Sequence, residues 1–281
     1  MDKMNFCIVG LGLLGGSYAM ALTEKGHTVT AVDVREAAID WARRRGIITE
    51  GATDGFEPLL ERADAVVICL YPDIAAPWLR EHQKHFKPGV LITDVCGVKG
   101  HYVDEVQSFL REDAEFIACH PMAGREVSGV EYADCAMFRV ANFLITPTAK
   151  NTRRGIAFAH ALADDLGFAR VTELTCAEHD KVIGYVSQLT HAIAVSLMNA
   201  NDDPHLVDYT GDSFRDLTRI AKINDKLWSE LFFANREVLC GEIDAFTASL
   251  LDLREKLATG DEAGLRALFV KSTERRRLFD K

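Results

Sequence analysis

Between residue 5 and about residue 172, short apolar runs take turns with stretches in which apolar residues recur at helical spacing. "NFCIVG" precedes a helical pattern at 14–25, "TVTAVD" one at 36–45, "AVVICLY" one at 73–86 and "VLITDV" one at 99–111. Strands alternating with helices of this length predict βαβ units and a parallel sheet, which "EFIACH", "NFLITPT" and "ARVTEL" are expected to extend. After "ARVTEL" no β-rich run follows. Amphipathic helical patterns occupy 176–200, 213–222, 225–258 and 261–278. Thr175 with Glu178 three residues on is a capping-box signature, so the pattern divides the chain near 173. Residues 1–172 are then an α/β domain and residues 173–281 an all-helical one. No repeat or low-complexity linker separates them, which predicts a fixed cleft between the two. The apolar residues of the helical part pack either against a second copy of the chain or against the first domain.

Composition narrows the partners. A chain of 281 residues with 48% apolar and 26% charged residues is long enough for two cores. Its net charge of -10 gives no electrostatic footprint for nucleic acid or an anionic membrane, so an anionic ligand needs a local basic site. The seven cysteines form no C-x-x-C pair and four lie in or beside apolar runs, which reads as reduced thiols with neither disulfides nor a metal site. The N-terminal "MDKMNFCIVGLGLLGGSYAMALTEKG" imitates a secretion signal, but its glycines fall where secretion has no use for them. With no run approaching the roughly 18 apolar residues of a spanning helix, the expected location is the cytoplasm.

Those glycines carry the first chemistry. Gly10, Gly12 and Gly15 make a G-x-G-x-x-G between a strand and a helix, the Rossmann arrangement in which a dinucleotide's pyrophosphate lies on the helix N-terminus. The loop residues Leu11, Leu13 and Leu14 accompany them. Leu70 ends the third main strand, and Cys96 and Gly97 follow the fourth, so all three are expected at the cofactor. Asp33 ends the second strand, where its carboxylate can accept from the adenosine ribose and repel a 2'-phosphate. NAD is therefore expected over NADP, although Arg35 and Arg43 to Arg45 keep NADP open. The plainer alternative is a glycine turn with a solvated Asp.

Four further segments look selected for a substrate: "DVCGVKG" (94–100), "HPMAGRE" (120–126), "SQLTH" (187–191) and "GDSFRDLTRIA" (211–221). The first two follow strand ends, where doubly wound sheets bind ligands, and should flank the nicotinamide. His120 stands beside Pro and Gly on a turn that no helix packing explains. Ser187 and His191 share a helix face, although a histidine on an apolar helix is often only a core residue. Arg215 and Arg219 also share a face and suit a carboxylate, or else pair with Asp212 and Asp216. Trp228 serves equally as cleft lining or core anchor.

Taken in order, the Rossmann fingerprint, "DVCGVKG", "CHPMAGRE", "HDKVIGYVSQLTH", "FRDLTRIA" and "LW" resemble the prephenate/arogenate dehydrogenase family of tyrosine biosynthesis over roughly residues 5–235. The resemblance implies a Rossmann-like N-terminal domain, a helical C-terminal dimerisation domain, a homodimer and an active site between the domains. It implies NAD-dependent oxidative decarboxylation of prephenate to 4-hydroxyphenylpyruvate. His120 matches the family's catalytic histidine, Ser187 and His191 its substrate-contacting pair, Arg219 its carboxylate-binding arginine and Trp228 a cleft aromatic. The residue chemistry agrees, since a neutral imidazole can take the hydroxyl proton as hydride leaves the same carbon.

Two positions depart from the family pattern. Many members read D-x-G-S-V-K-G where this chain has Cys96-Gly97, so the serine that accompanies the histidine is missing, and water, Cys96 or a backbone group replaces it or the histidine is oriented differently. Arg125 stands where a small hydroxyl residue is common, and either meets a substrate carboxylate or pairs with Glu126. The 281 residues leave no room for a regulatory module or fused mutase, so any tyrosine inhibition is expected at the active site. Arogenate is the alternative substrate. A β-hydroxyacid or imine reductase, for which only Lys181 on the first C-terminal helix would be available, and a non-catalytic nucleotide sensor are the remaining readings.

Overall fold

The computed structural model describes residues 1–280. Six parallel strands form its main sheet: β1 (Asn5–Val9), β2 (Thr28–Val32), β3 (Glu50–Ala52), β4 (Ala65–Ile68), β5 (Leu91–Asp94) and β6 (Glu115–Phe116). Their order is β3-β2-β1-β4-β5-β6, so the direction of winding reverses between β1 and β4, and a crevice opens beyond the carboxyl ends of those two strands. Phe6, Ile8, Ala65 and Val67 pack into the layer on one face, and Cys7, Val9, Val66 and Ile68 into the other. Burial on both faces is why these strands read as unbroken apolar runs.

The extension of this sheet by three further segments is corrected. Of "EFIACH", only Glu115–Phe116 joins it, and the Ile117 amide closes the edge by donating to the Ile92 carbonyl at 2.9 Å. The chain then leaves for a second sheet, in which β7 (Ala118–Pro121) runs antiparallel to β8 (Asn142–Thr146), and β8 parallel to β9 (Arg170–Glu173). Residues 122–141 contain only short tight turns, with no crossover helix. The chain returns directly beside β7, so β8 pairs with it antiparallel.

After β9 the described residues are helical. The capping box forms as its spacing predicts: the Glu178 amide donates to Thr175 Oγ1 at 3.2 Å, and the Thr175 amide to Glu178 Oε2 at 2.9 Å. The helix that follows changes pitch, with Cys176–Ile183, a wide-turn segment Gly184–Leu189 and then Thr190–Asn199. The expected helix over 225–258 is two, Asp225–Ala234 and Arg236–Thr259. The break falls at Asn235 (φ -122°, ψ 26°) without Gly or Pro, and its buried side-chain amide donates to the Asp180 carbonyl at 2.9 Å and Gln188 Oε1 at 2.8 Å. The segment 213–222 is likewise shorter than a full helix, being Asp212–Thr218 with a tightened turn at Arg219–Ala221.

The helices Arg236–Thr259 and Glu262–Arg276 leave Phe246, Leu250, Leu251, Leu257, Phe269 and Val270 exposed. Among the described residues, no helix is long and apolar enough to cross a membrane.

Candidate active site

The crevice end of β1 is shaped by two glycines. Gly10 has φ +97°, and a Cβ there would stand 2.6 Å from the Cys69 carbonyl oxygen and 3.2 Å from Leu70 Cδ2. A Cβ on Gly15 would meet the Gly10 carbonyl oxygen at 1.9 Å, so the loop and the helix Leu13–Glu24 can approach only as glycine. Gly12 faces open space, where another molecule's atoms can come close to the backbone. The first amide of this helix to find a helical partner is that of Gly16, which donates to the Gly12 carbonyl. The preceding amides and the positive end of the helix, with no acidic residue in the first turn, are chemically suited to a pyrophosphate. Leu11 and Leu13 are buried beneath the loop, and Leu14 is half-buried.

Asp33, at the end of β2, also braces the loop. Its Oδ2 accepts from the Leu11 amide at 2.6 Å and its Oδ1 from the Arg35 amide at 2.8 Å, while the Arg35 guanidinium donates to the Leu11 carbonyl at 2.8 Å. A ribose hydroxyl would share an acceptor that is already anchored.

His120 lies on β7, opposite Leu144 of β8, between the buried Cys119 and Pro121. Its ring is half-buried and its Nδ1 is 2.9 Å from Nε2 of His179. His179 Nδ1 donates to Asp180 Oδ1 at 2.8 Å. Asp180 also accepts from the Lys99 amide at 2.8 Å and the Gly100 amide at 2.7 Å. Beside this row, the Lys99 ammonium donates to Asp94 Oδ2 at 2.6 Å and the Cys119 carbonyl at 2.7 Å. Asp94 Oδ1 takes the Cys119 amide at 3.0 Å, so the strand bearing His120 is tied on both sides.

Burial first, then the neighbouring His179 and the Lys99 ammonium, push the His120 imidazole well below its ordinary 6.5. Burial lowers His179 too, against the opposing pull of Asp180. Burial would raise the Asp180 carboxyl, but the hydrogen bonds from His179 and the two backbone amides outweigh it and hold the group below its usual range. The site therefore keeps a neutral imidazole beside an ionised carboxylate.

The protein group that His120 Nδ1 meets is neither Cys96 nor a backbone group. Cys96 is buried with its thiol pushed up to about 12, chiefly by that burial, and its amide serves Asp94. A Cβ at Gly97 would point 3.8 Å from His120 Cε1 and 3.3 Å from Leu231 Cδ2. The partner at Nδ1 is a histidine 59 residues away.

The helical part supplies the opposite wall. His191 Nδ1 donates to the Ser187 carbonyl at 2.9 Å, and its ring stacks on Trp228 with centroids 3.6 Å apart. Trp228 thus backs His191 directly. Burial lowers the His191 pKa, opposed by the Ser187 carbonyl and the charge of Glu126 and reinforced by Arg219. Arg219 pairs with Glu126 of the loop after β7, joining the two halves of the chain. Tyr71 adds a second link, its hydroxyl accepting from Asn224 Nδ2 at 2.9 Å.

Two arginines expected at the substrate are engaged by carboxylates of their own. Arg125 pairs with Asp134 at 2.5 Å, so Glu126 is not its partner. Arg215 pairs with Asp212 at 2.7 Å, one of the two carboxylates expected as its alternative partners, and Arg219 opens the tightened turn that follows. Lys181, on which a reductase reading depends, is exposed.

Comparison with known proteins gives this arrangement a lineage. The family model for the prephenate dehydrogenase nucleotide-binding domain matches residues 18–172, and the model for the prephenate dehydrogenase dimerization domain matches residues 175–271. The chain belongs to the prephenate dehydrogenase family. It is 30% identical to the prephenate dehydrogenase of Lactococcus lactis subsp. cremoris, over 93% of this chain and 73% of that protein. It is 28% identical to the cyclohexadienyl dehydrogenase of Zymomonas mobilis subsp. mobilis, over 92% of this chain and 89% of that one. The crystal structure of prephenate dehydrogenase from A. aeolicus in complex with hydroxyphenyl propionate and NAD+ superposes with a TM-score of 0.88 at 30% identity, covering 100% of this chain and 99% of that one.

Within this prephenate dehydrogenase family member, sequence reasoning assigned no role to Asp94, Lys99, His179 or Asp180. All four stand in the "DVCGVKG" and "HDKVIGYVSQLTH" segments. A usable signal was present, since an Asp closing the apolar run "VLITD" demands a buried counter-charge, and Lys99 follows five residues later.

Proposed function

We propose that this chain is an NAD-dependent dehydrogenase that oxidatively decarboxylates prephenate to 4-hydroxyphenylpyruvate and CO2. The observation that carries the reading is the His120 ring, half-buried, with Nδ1 engaged by His179 and its pKa held well below 6.5 by burial, which leaves a neutral imidazole with Nε2 for a substrate hydroxyl. NAD accepts the hydride from the ring carbon that bears this hydroxyl. His120 Nε2 takes the hydroxyl proton as the carbonyl forms. The bond from ring to carboxylate then breaks, its electron pair restores aromaticity, and the proton held on His120 returns to the phenolate oxygen. The charges balance without an external acid.

Residues 1–172 hold the nucleotide in this reading, with the Gly10–Gly15 loop on the pyrophosphate and Asp33 on the ribose. Residues 173–281 supply Ser187, His191 and Arg219. The Arg219 fork binds a substrate carboxylate once Glu126 releases it, and Trp228 keeps the His191 ring in place. Arg125 and Arg215 are engaged by Asp134 and Asp212, and we assign them no substrate contact. The exposed apolar residues of Arg236–Thr259 support a homodimer, and seven unpaired cysteines support the cytoplasm.

The test is purified protein with NAD and either prephenate or arogenate, followed through absorbance of the reduced cofactor. Reduction with prephenate exceeding that with arogenate is expected. Preference for arogenate would transfer the reading to the amino-bearing substrate, and turnover of neither would overturn it.

A further inference from the structure

The row His120, His179, Asp180 has a direction that can be worked out from its far end. Both Asp180 oxygens are occupied by donors: Oδ1 takes the Lys99 amide and the His179 ring, and Oδ2 takes the Gly100 amide. A backbone N–H cannot reverse its role, so Asp180 can only accept. His179 must then carry its hydrogen on Nδ1, and in the neutral ring Nε2 is left with a lone pair. The atom facing that lone pair at 2.9 Å is His120 Nδ1, which must be the donor. A neutral His120 with hydrogen on Nδ1 has its own lone pair on Nε2.

We propose that His179 and Asp180 are positioning residues that hold His120 in the one neutral tautomer able to act as a base. Two backbone amides, of Lys99 and Gly100, set the state of a ring nitrogen two side chains away. The opposite assignment, with His179 donating from Nε2, requires His179 to be doubly protonated. Its enclosure, with the buried Lys99 ammonium close by, disfavours the extra charge. Gly97 leaves the row without competition, since no side chain there offers His120 an alternative partner.

The inference rests on His120 as the base of the proposed reaction, yet the tautomer can be read without substrate. Nitrogen-15 NMR of the histidine rings in the native protein, with the His120 signals assigned by their loss in His120→Asn, should show a protonated Nδ1 and an unprotonated Nε2. A native His120 protonated at Nε2 would overturn the proposal, whatever the activity.

Variants supply the kinetic arm. Asp180→Asn can offer its amide hydrogens to His179 and reverse the row, and kcat is expected to fall by about a hundred- to ten-thousandfold, the share a positioned base contributes. KM and NAD affinity should stay within about twofold. His179→Gln, whose amide oxygen can accept from His120, should keep more activity than His179→Leu. If Asp180→Asn does not fold, the glutamine and leucine pair together with the native spectrum decides. Native kcat in His179→Leu would overturn the inference. Absence of turnover in the native protein would instead remove the proposed function and leave the tautomer to the spectrum.

Discussion

The Lys99 ammonium and the Asp94 carboxylate meet at 2.6 Å with both side chains closed to solvent. Asp94 also fixes the amides of Cys96 and Cys119, so this pair fastens the segment after β5 to the strand that carries His120. Lys99→Met strands a buried carboxylate, and a loss of about 3–5 kcal/mol of stability is expected. Denaturant unfolding of the variant beside the native protein measures it, and a change below about 1 kcal/mol would contradict a closed pair.

His120→Asn keeps the side-chain volume near that of imidazole but removes the base. The dinucleotide loop lies on other strands, so NAD affinity should be unchanged while kcat falls by about a hundredfold or more. Isothermal titration and steady-state kinetics separate the two. Unchanged turnover would take His120 out of the chemistry, whereas intact NAD affinity with turnover abolished would remove the non-catalytic nucleotide-sensor reading.

How much of this could be read beforehand depended on distance along the chain. The glycine turn was legible because it is a local pattern at a strand end, and the helix start at Thr175 because a capping box is local too, whereas His120, expected on a turn, stands within β7 and pairs with Leu144. The partners of those residues were not. His120 finds His179 59 residues on, and Arg219 finds Glu126 93 residues back, and no periodicity reports such pairings. The second sheet was missed for a related reason. "NFLIT" is equally good as a parallel or an antiparallel strand, and it is in fact both, antiparallel to β7 and parallel to β9. Asn235 shows the remaining gap, because a break with neither Gly nor Pro looks like any other helical position.

Acid should weaken the fold before it reaches the carboxylates. The folded-state pKa of His120 lies well below 6.5 and that of His179 below it as well, in both cases chiefly through burial. Between those depressed values and 6.5 the unfolded chain binds protons that the folded chain does not, so stability rises with pH in that window and is lost as pH falls through it. Thermal unfolding at a series of pH values checks this, and a flat profile from pH 6.5 downward would contradict it. By the same shift, kcat/KM should hold as pH drops through 6.5 and decline only further down, since His120 remains unprotonated there.

Gly15→Ala tests the cofactor cradle. The added methyl falls 1.9 Å from the Gly10 carbonyl oxygen, where backbone must shift. A destabilisation of about 1–3 kcal/mol or more is expected from the overpacking, with NAD affinity lost as the loop moves. Fluorescence titration with NADH reads the second effect, and native affinity in this variant would rule out pyrophosphate contact at the loop.

The exposed Leu250 and Leu251 mark the helix face proposed to meet a second copy. Leu250→Asp with Leu251→Asp places charge on that face and should convert dimer to monomer in multi-angle light scattering. A native protein that already runs as a monomer at micromolar concentration would remove the dimer from the reading.

The change of sheet at Ile117 has a mechanical side. Its amide is held by β5, and three residues later the extended chain delivers His120, a reach of roughly 10 Å. His120 is thus tethered by covalent geometry to the sheet that carries the glycine loop, while Arg125 and Glu126 belong to the irregular stretch beyond. If that stretch swings to admit or release a ligand, His120, the base of the proposed reaction, need not travel with it, since its strand is anchored independently of the loop.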